Sequence, residues 1–397
     1  MTGSNRINRL SESQTLSLTK EVRKLRSAGK DVIGLTLGEP DFDTPAHIRN
    51  AAIEAINQGK THYPPVSGIP ELREAIAAKC RRENKIPYKA ENIVVSTGAK
   101  QSLVNAIMSL MNPGDEAILI APYWVSYFEM LKMADAHIVI VGTDAASGFK
   151  ASAEKIEAAI TPRTKMIFYN SPSNPAGSMY NAEEVRQIVG VLERNRHVML
   201  ISDEIYEHII YNFPHVSPAS FEQVYEQVIT VNGVSKAFAM TGWRIGYMGA
   251  PKWIAELCDK WQGQITSGAN SIAQWATLTA LTGELYPTYA MRDQFRERRD
   301  YLYQRLLSIE GLKTPCPDGA FYFYPDLSAF FGRVSPAGNK IKDIDDLTRY
   351  LLSDALVAVI PGSAFGTKEH VRISYAYTLE VLKQAADRIG QGLLALK

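Results

Sequence analysis

Cysteine is scarce: the 397 residues contain three, Cys80, Cys258 and Cys316, far apart and with no pair at metal-ligand spacing. A disulfide framework is therefore not expected, and neither is a metal site. No apolar run approaches the roughly 20 residues that cross a bilayer, and the polar start from residue 1 to 10 lacks the apolar centre of a signal peptide. The reading is a soluble, cytoplasmic protein. Neither sign of charge dominates, with Lys plus Arg at 43 against Asp plus Glu at 42. No net field is available to hold a polyanion or an anionic membrane, so nucleic acid and membrane are not expected partners. Internal repeats and low-complexity tracts are also missing.

What is present describes an ordinary folded chain, 46% hydrophobic and 21% charged. The length exceeds what one compact core usually holds, which favours two domains. Residues 15–29 read as an amphipathic helix ended by glycine, 31–36 as a strand, and Gly38 to Phe42 as a turn. Helices follow Pro45 and Pro70, each with proline in the first turn. The runs 93–96, 117–120, 138–141, 166–169, 198–202, 228–231 and 245–249 are short and apolar, most of them separated by helical patterns. That is the signature of a largely parallel, doubly wound α/β sheet covered on both faces. After a mostly helical stretch that includes a charged helix around 294–300, strands at 320–324, 357–360 and 371–374 mix with helices near 345–355 and from 379. The changed order points to a smaller α+β unit. The expected division is a large domain over 45–285 and a small one made of 1–44 with 286–397.

Open parallel sheets bind ligands at the carboxyl ends of their strands. Four loops there are unusual. Ser96 to Gln101 offers small residues and free amides at a helix start; it suits a phosphate, or it is a tight turn that needs glycine, and it is no Walker loop. Asn170 to Gly177 is either a good turn or a rigid mount for Asn174. Ser202 to Tyr206 ends an apolar strand with Asp203, which is a helix N-cap or a functional carboxylate. Asn232 to Tyr247 holds Lys236 among small and apolar residues, where desolvation would favour a neutral, nucleophilic amine. A lone solvated lysine is the competing reading. Together the loops supply amides, a carboxylate, a phenol, an amine and the Arg244 guanidinium, a set that meets the needs of pyridoxal 5'-phosphate.

The sequence closely resembles the class I aminotransferases of fold type I, and especially bacterial aspartate aminotransferases of the thermophile-like subgroup. The resemblance rests on Leu37 to Phe42, Tyr63 with Gly68 to Arg73, Pro122 to Tyr127, Ser171 to Gly177, Ser202 to Glu207, Asn232 to Tyr247 and Val371 to Tyr375. It implies a pyridoxal 5'-phosphate enzyme that moves the amino group of L-aspartate to 2-oxoglutarate by a ping-pong route. Lys236 is then the Schiff-base lysine and general base, Asp203 the partner of the pyridine nitrogen, and Asn174 with Tyr206 the donors to the phenolic oxygen. Trp124 stacks on the ring; Gly98, Ala99 and Arg244 hold the phosphate, joined by Tyr63 from the neighbouring subunit of a homodimer. Arg372, assisted by Gly38, takes the substrate α-carboxylate, with Trp124 and Asn174 beside it. Lys100, with Ser13 and Thr15, faces the distal carboxylate. Two departures stand out: Gly233 occupies a place where many relatives carry a phosphate-binding serine, and Ser11 aligns with a basic residue of members that accept prephenate. The alternatives are an aminotransferase of broader, aromatic or prephenate specificity, or a lyase using the same cofactor.

Overall fold

Short apolar runs with a side-chain period of two form strands where helices cover both faces of the sheet they join. The computed structural model describes residues 3–12 and 14–397. After a two-residue strand, β1 (Ile33–Gly34), seven strands build the central sheet: β2 (Ile93–Ser96), β3 (Glu116–Ala121), β4 (His137–Gly142), β5 (Thr164–Asn170), β6 (Met199–Asp203), β7 (Val228–Gly233) and β8 (Gly246–Gly249). Their order is β2-β8-β7-β6-β5-β3-β4, and only β8 runs against its neighbours. The mainly parallel, doubly wound sheet expected from the sequence is present.

Alternation along the strands divides the core. Ile167 and Tyr169 join one apolar cluster with Leu72, Ile76, Val185 and Ala276, whereas Met166 and Phe168 join another with Leu103, Ile107, Ile254 and Cys258. Helices Pro70–Lys79, Ala182–Arg194 and Ser271–Thr282 thus cover one face, and Ala99–Leu110 with Lys252–Ile265 the other. The Asn181 side chain accepts from the Glu183 and Glu184 amides while Glu184 accepts from the Asn181 amide, a reciprocal cap that fixes the helix directly after the 170–177 loop.

Beyond the long helix Tyr286–Leu307, four short strands follow: β9 (Tyr322–Phe323), β10 (Val357–Ala358), β11 (Ile360–Pro361) and β12 (Val371–Ser374). Antiparallel β12 lies between β11 and β9, while β10 pairs in parallel with β1. The N-terminal stretch is thereby tied to the C-terminal region, and Ile33 and Leu35 share a core with Phe295, Phe321 and Ile373.

β12 has the expected bounds, whereas the other strands here are shorter than their apolar runs suggest, for backbone reasons. Ala320 has a left-handed φ of 56° and Pro325 lacks an N–H, so only Tyr322 and Phe323 pair. The 357–360 run splits because its halves meet different partners, β1 and β12. Arg244, at φ 57°, keeps β8 from starting before Gly246. Pro45 is not in the first turn of its helix but immediately before it, in extended backbone, whereas Pro70 is the first helical residue. Among the described residues no helix is long and apolar enough to cross a membrane.

Candidate active site

The carboxyl ends of β2, β5, β6 and β7 open on one cavity of about 280 Å³. Eleven of the expected residues line it: Thr15, Gly38, Ala99, Lys100, Trp124, Asn174, Asp203, Tyr206, Lys236, Arg244 and Arg372. Gly98 adjoins it through Arg244. Tyr63 does not line it; its side chain is fully exposed to solvent. Ser13 lies outside the described residues.

Lys236 stands three residues past the end of β7, and its ammonium donates to the Gly38 carbonyl. Burial pushes its pKa down to about 8; Arg244 and Arg372 act in the same direction, against Glu39 and Asp203. Asp203 ends β6 and is 5% exposed. Burial pushes its carboxyl up to about 6, opposed by the Tyr127 hydroxyl, the Ile205 amide and Lys236. Tyr127 donates to Asp203 Oδ2 at 2.5 Å, and the Ile205 amide to Oδ1 at 3.3 Å. The chain after Asp203 is a turn and not a helix, so the N-cap alternative falls.

Arg372, on β12, is 2% exposed and lies between aromatic rings, its Cζ 4.6 Å from Tyr322 and 5.2 Å from Phe365. Its Nη1 donates to Asn174 Oδ1 at 2.9 Å and its Nη2 to the Thr36 carbonyl at 2.6 Å, while Nε has no partner among the described residues. A buried guanidinium with an unused N–H beside a cavity is suited to receive a carboxylate. Asn174 is oriented by the acceptance of its amide N–H by Asn170 Oδ1 at 2.8 Å. Its own Oδ1 is occupied by Arg372, which leaves its NH₂ group as the available donor.

At the start of helix Ala99–Leu110, Gly98 takes φ 82°, and a Cβ there would run into the Arg244 guanidinium. Glycine is what lets Arg244 close over the helix N-terminus. The Gly98 amide already donates to the Ser96 carbonyl at 2.7 Å, so the unpaired amides of this anion cradle begin at Ala99, not at Gly98 as well. Lys100 Nζ lies 4.9 Å from the Trp124 ring centroid. Although solvent reaches Lys100 from the cavity mouth, desolvation and then the Arg244 charge hold its pKa below the ordinary lysine value. Gly233 also has a steric reason: its Cβ would fall 2.9 Å from the Gly246 Cα across the β7–β8 pair. A serine does not fit there without backbone movement. Ser235, beside Lys236, lines the cavity instead.

Ten further residues line the cavity, and three of them, Tyr127, Ser235 and Tyr322, touch or adjoin the expected ones. Tyr127 was legible, since it lies three residues after Trp124 at the start of a helix and so shares its face. Ser235 is adjacent to Lys236 in sequence. Tyr322, whose Oη lies 2.8 Å from Tyr206 Oη, gives no sign in its own short strand.

Behind the loop that carries Asp203 and Tyr206 is a buried ionic network. Lys79 is paired with Glu207, which also accepts from Asn232 Nδ2 at 2.6 Å and Asn84 Nδ2 at 2.5 Å. Glu204 accepts from Ser202 and Ser217 and lies 3.0 Å from His215 Nε2. Glu83, Glu207 and His208, and likewise Glu204, Glu207 and His215, bring ligand-type atoms within 4.8 Å of one another. The Lys79 ammonium at the centre makes this an ion-pair network. Burial alone would raise the Glu207 carboxyl, yet Lys79, His208 and His215 together hold it well below the usual carboxylate range.

Comparison with known proteins agrees with this geometry. A probable aspartate/prephenate aminotransferase of Rhizobium leguminosarum bv. phaseoli is 46% identical over 385 residues, 96% of each chain. The crystal structure of an aspartate aminotransferase from Rhizobium meliloti superposes with a TM-score of 0.97 at 44% identity, covering 100% of both chains. An aspartate aminotransferase from Thermus thermophilus, solved with maleate, gives 0.93 at 42% identity over 99% of this chain and 100% of its own. The family description "Aminotransferase class I and II" matches residues 30–389. With the buried lysine, carboxylate and guanidinium gathered in the fold these relatives share, the chain belongs to the class I and II aminotransferases.

Proposed function

We propose that this aminotransferase takes the amino group of L-aspartate, or of another acidic amino acid, and passes it to 2-oxoglutarate by a two-stage exchange on pyridoxal 5'-phosphate. The observation that carries the reading is the meeting, in one cavity, of an amine with a pKa near 8, a buried carboxylate aimed by Tyr127, and a buried guanidinium with an unused N–H. The donor set fits the cofactor. Pyridoxal 5'-phosphate supplies an aldehyde for the amino group and a protonated pyridine ring that withdraws electrons from the α-carbon.

Each residue then has work suited to its surroundings. Lys236 supplies the neutral amine that holds the cofactor covalently and, once released, moves the α-proton. Asp203 accepts the pyridine N–H, whose positive charge draws the carboxyl back to its ionised form. Tyr206 and the Asn174 NH₂ group donate to the phenolic oxygen, and Trp124 covers the ring. Arg244 and the helix N-terminus at Ala99 hold the phosphate. Arg372 meets the α-carboxylate through its free edge, and Gly38, which lines the same cavity, lends a backbone contact.

The preference for acidic donors rests on Lys100 at the Trp124 face and on Thr15 in the cavity wall; Ser13 is assigned with them by its place in sequence. It is supported by similar proteins named for aspartate and by the maleate, a dicarboxylate, bound to the Thermus enzyme. Ser11 brings no positive charge for the additional carboxylate of prephenate, and its amide donates to Glu129. The proposed working form is a homodimer, because Tyr63 is fully exposed and lines no part of this chain's own cavity, while its assigned ligand is a phosphate. The domains are read as 45–285 and 1–44 with 286–397. Three unpaired cysteines suit a reducing cytoplasm.

The test is spectroscopic and chemical. Purified protein should bind pyridoxal 5'-phosphate with a visible absorbance that aspartate discharges stoichiometrically, and Lys236→Ala should lose that absorbance. Cofactor absorbance unchanged in Lys236→Ala would overturn the assignment.

A further inference from the structure

Tyr322 is fully buried on β9, paired with Ser374 of β12, two residues beyond Arg372. Its hydroxyl lies 2.8 Å from that of Tyr206, with the two rings nearly perpendicular at 86°. Its ring faces the Arg372 guanidinium at 4.6 Å. A Cβ on Gly38 would fall 2.5 Å from Tyr322 Oη, so the phenol head is wedged against the segment that receives the Lys236 ammonium.

A proton count decides what this contact does. A phenol has one proton to donate, and neither the Tyr206 nor the Tyr322 hydroxyl has another hydrogen-bond partner among the described residues. If Tyr206 gave its proton to Tyr322, it would have none left for a ligand in the cavity. Tyr206 can serve as a donor there only when Tyr322 donates to it. Burial keeps the Tyr206 phenol well above its ordinary value, so it stays protonated, and the 2.8 Å contact itself allows either hydroxyl to donate.

We propose that Tyr322 is a positioning residue with two separable actions: its hydroxyl turns Tyr206 toward the cofactor's phenolic oxygen, and its ring face supports Arg372. The inference rests on the reading that Tyr206 faces pyridoxal 5'-phosphate. A chain of donors polarises each member, so loss of the Tyr322 hydroxyl weakens the Tyr206 hydrogen bond without removing it. With the cofactor held by Lys236, a weaker Tyr206 bond would leave the phenolic oxygen more basic, so the visible titration would move to higher pH.

The experiment titrates the visible absorbance of holoenzyme for wild type, Tyr322→Phe, Tyr322→Leu, Tyr206→Phe and the double variant Tyr206→Phe/Tyr322→Phe. Tyr322→Phe should raise the midpoint by roughly 0.3 to 0.5 pH unit, less than Tyr206→Phe does. Added to Tyr206→Phe it should change the midpoint by under about 0.1 unit, because the relay is already cut. Tyr322→Phe keeps the ring under Arg372 and should leave KM for the amino donor within about twofold. Tyr322→Leu should raise that KM by roughly three- to thirtyfold.

An unmoved midpoint in Tyr322→Phe, or an equal shift with and without Tyr206, overturns the relay. Equal KM increases in the Phe and Leu variants overturn the support of Arg372. Thermal melting of Tyr322→Phe within a few degrees of wild type shows that the comparison is between folded proteins, and a larger fall would make Tyr322 a packing residue and overturn the proposal. A wild-type protein that takes up no pyridoxal 5'-phosphate would instead overturn the cofactor reading itself, which distinguishes the two failures.

Discussion

Burial should make the Lys236 amine reactive near neutral pH. With its pKa pushed down from 10.5 to about 8, Lys236 has about one amine in eleven neutral at pH 7, against about one in three thousand for an unperturbed lysine. Only the neutral amine attacks an aldehyde, so burial accelerates cofactor capture by roughly 300-fold at that pH. Mixing apoenzyme with pyridoxal 5'-phosphate in a stopped-flow instrument and following absorbance gives the capture rate. It should climb nearly tenfold from pH 6 to 7 and flatten above about pH 9. Glu39 provides a sign test, because its charge raises the Lys236 pKa. Glu39→Gln keeps an oxygen for the Thr241 hydroxyl, now 3.0 Å away, but removes the charge. The rate profile should therefore shift to lower pH, with faster capture at pH 7 and none gained on the alkaline plateau. A rate still rising tenfold per unit at pH 9.5, or slower capture in Glu39→Gln at pH 7, would refute the desolvated-lysine argument.

Three other outcomes are expected. Lys100→Ser should lower kcat/KM for aspartate and glutamate by about ten- to a hundredfold, the worth of a charge-assisted hydrogen bond, while alanine and phenylalanine are hardly affected; equal losses would assign Lys100 to the phosphate loop. Tyr127→Phe removes a contact that lowers the Asp203 pKa, so the acidic limb of the kcat/KM profile should move to higher pH, with activity at pH 7 down roughly two- to tenfold and largely restored at pH 8.5. Lys79→Met leaves Glu207 buried without its cation and should cost about 3 to 5 kcal/mol in chemical denaturation; a cost below about 1 kcal/mol would show that water or His208 replaces the pair.

The central sheet was legible because most of its strands are buried on both faces, and continuous apolar runs such as Ile118–Ala121 and Met166–Tyr169 have few other structural uses. The C-terminal strands were not delimited so well. A left-handed residue such as Ala320 carries no reliable sequence mark, and strands of two residues are defined by their partners rather than by their own pattern. In the site, the residues that end strands could be read locally: Asp203 and Asn170 at the ends of β6 and β5, Lys236 just past β7. Tyr322 and the Lys79–Glu207 pair could not, since each acts through a contact more than a hundred residues away in sequence. The committed amide of Gly98 was hidden for another reason: a strand-to-helix turn with a phosphate-binding composition does not show which of its N–H groups the turn itself uses.

The cavity is built across two cores, and its hydrogen bonds show what a substrate must exchange. Arg372, on β12, donates to Asn174 after β5 and to Thr36 after β1; Lys236 donates to Gly38; Tyr206 meets Tyr322. Each of these links joins a loop of the central sheet to the apolar cluster shared by the first and last parts of the chain, or joins two parts of that cluster. An incoming carboxylate takes the Nε–H edge of Arg372, which has no partner among the described residues, while Asn174 and Thr36 keep their bonds to the Nη groups. The added bond is charge-assisted, roughly twice as strong as a neutral one. Covalent use of Lys236 would release the Gly38 carbonyl. Binding therefore exchanges the Lys236 contact between the two sides for contacts made through the ligand, and the free energy available to rearrange them is the difference between the two sets. For a ligand with an α-carboxylate that difference gains a charge-assisted bond at Arg372; for an amine without one, the Arg372 Nε–H stays unused.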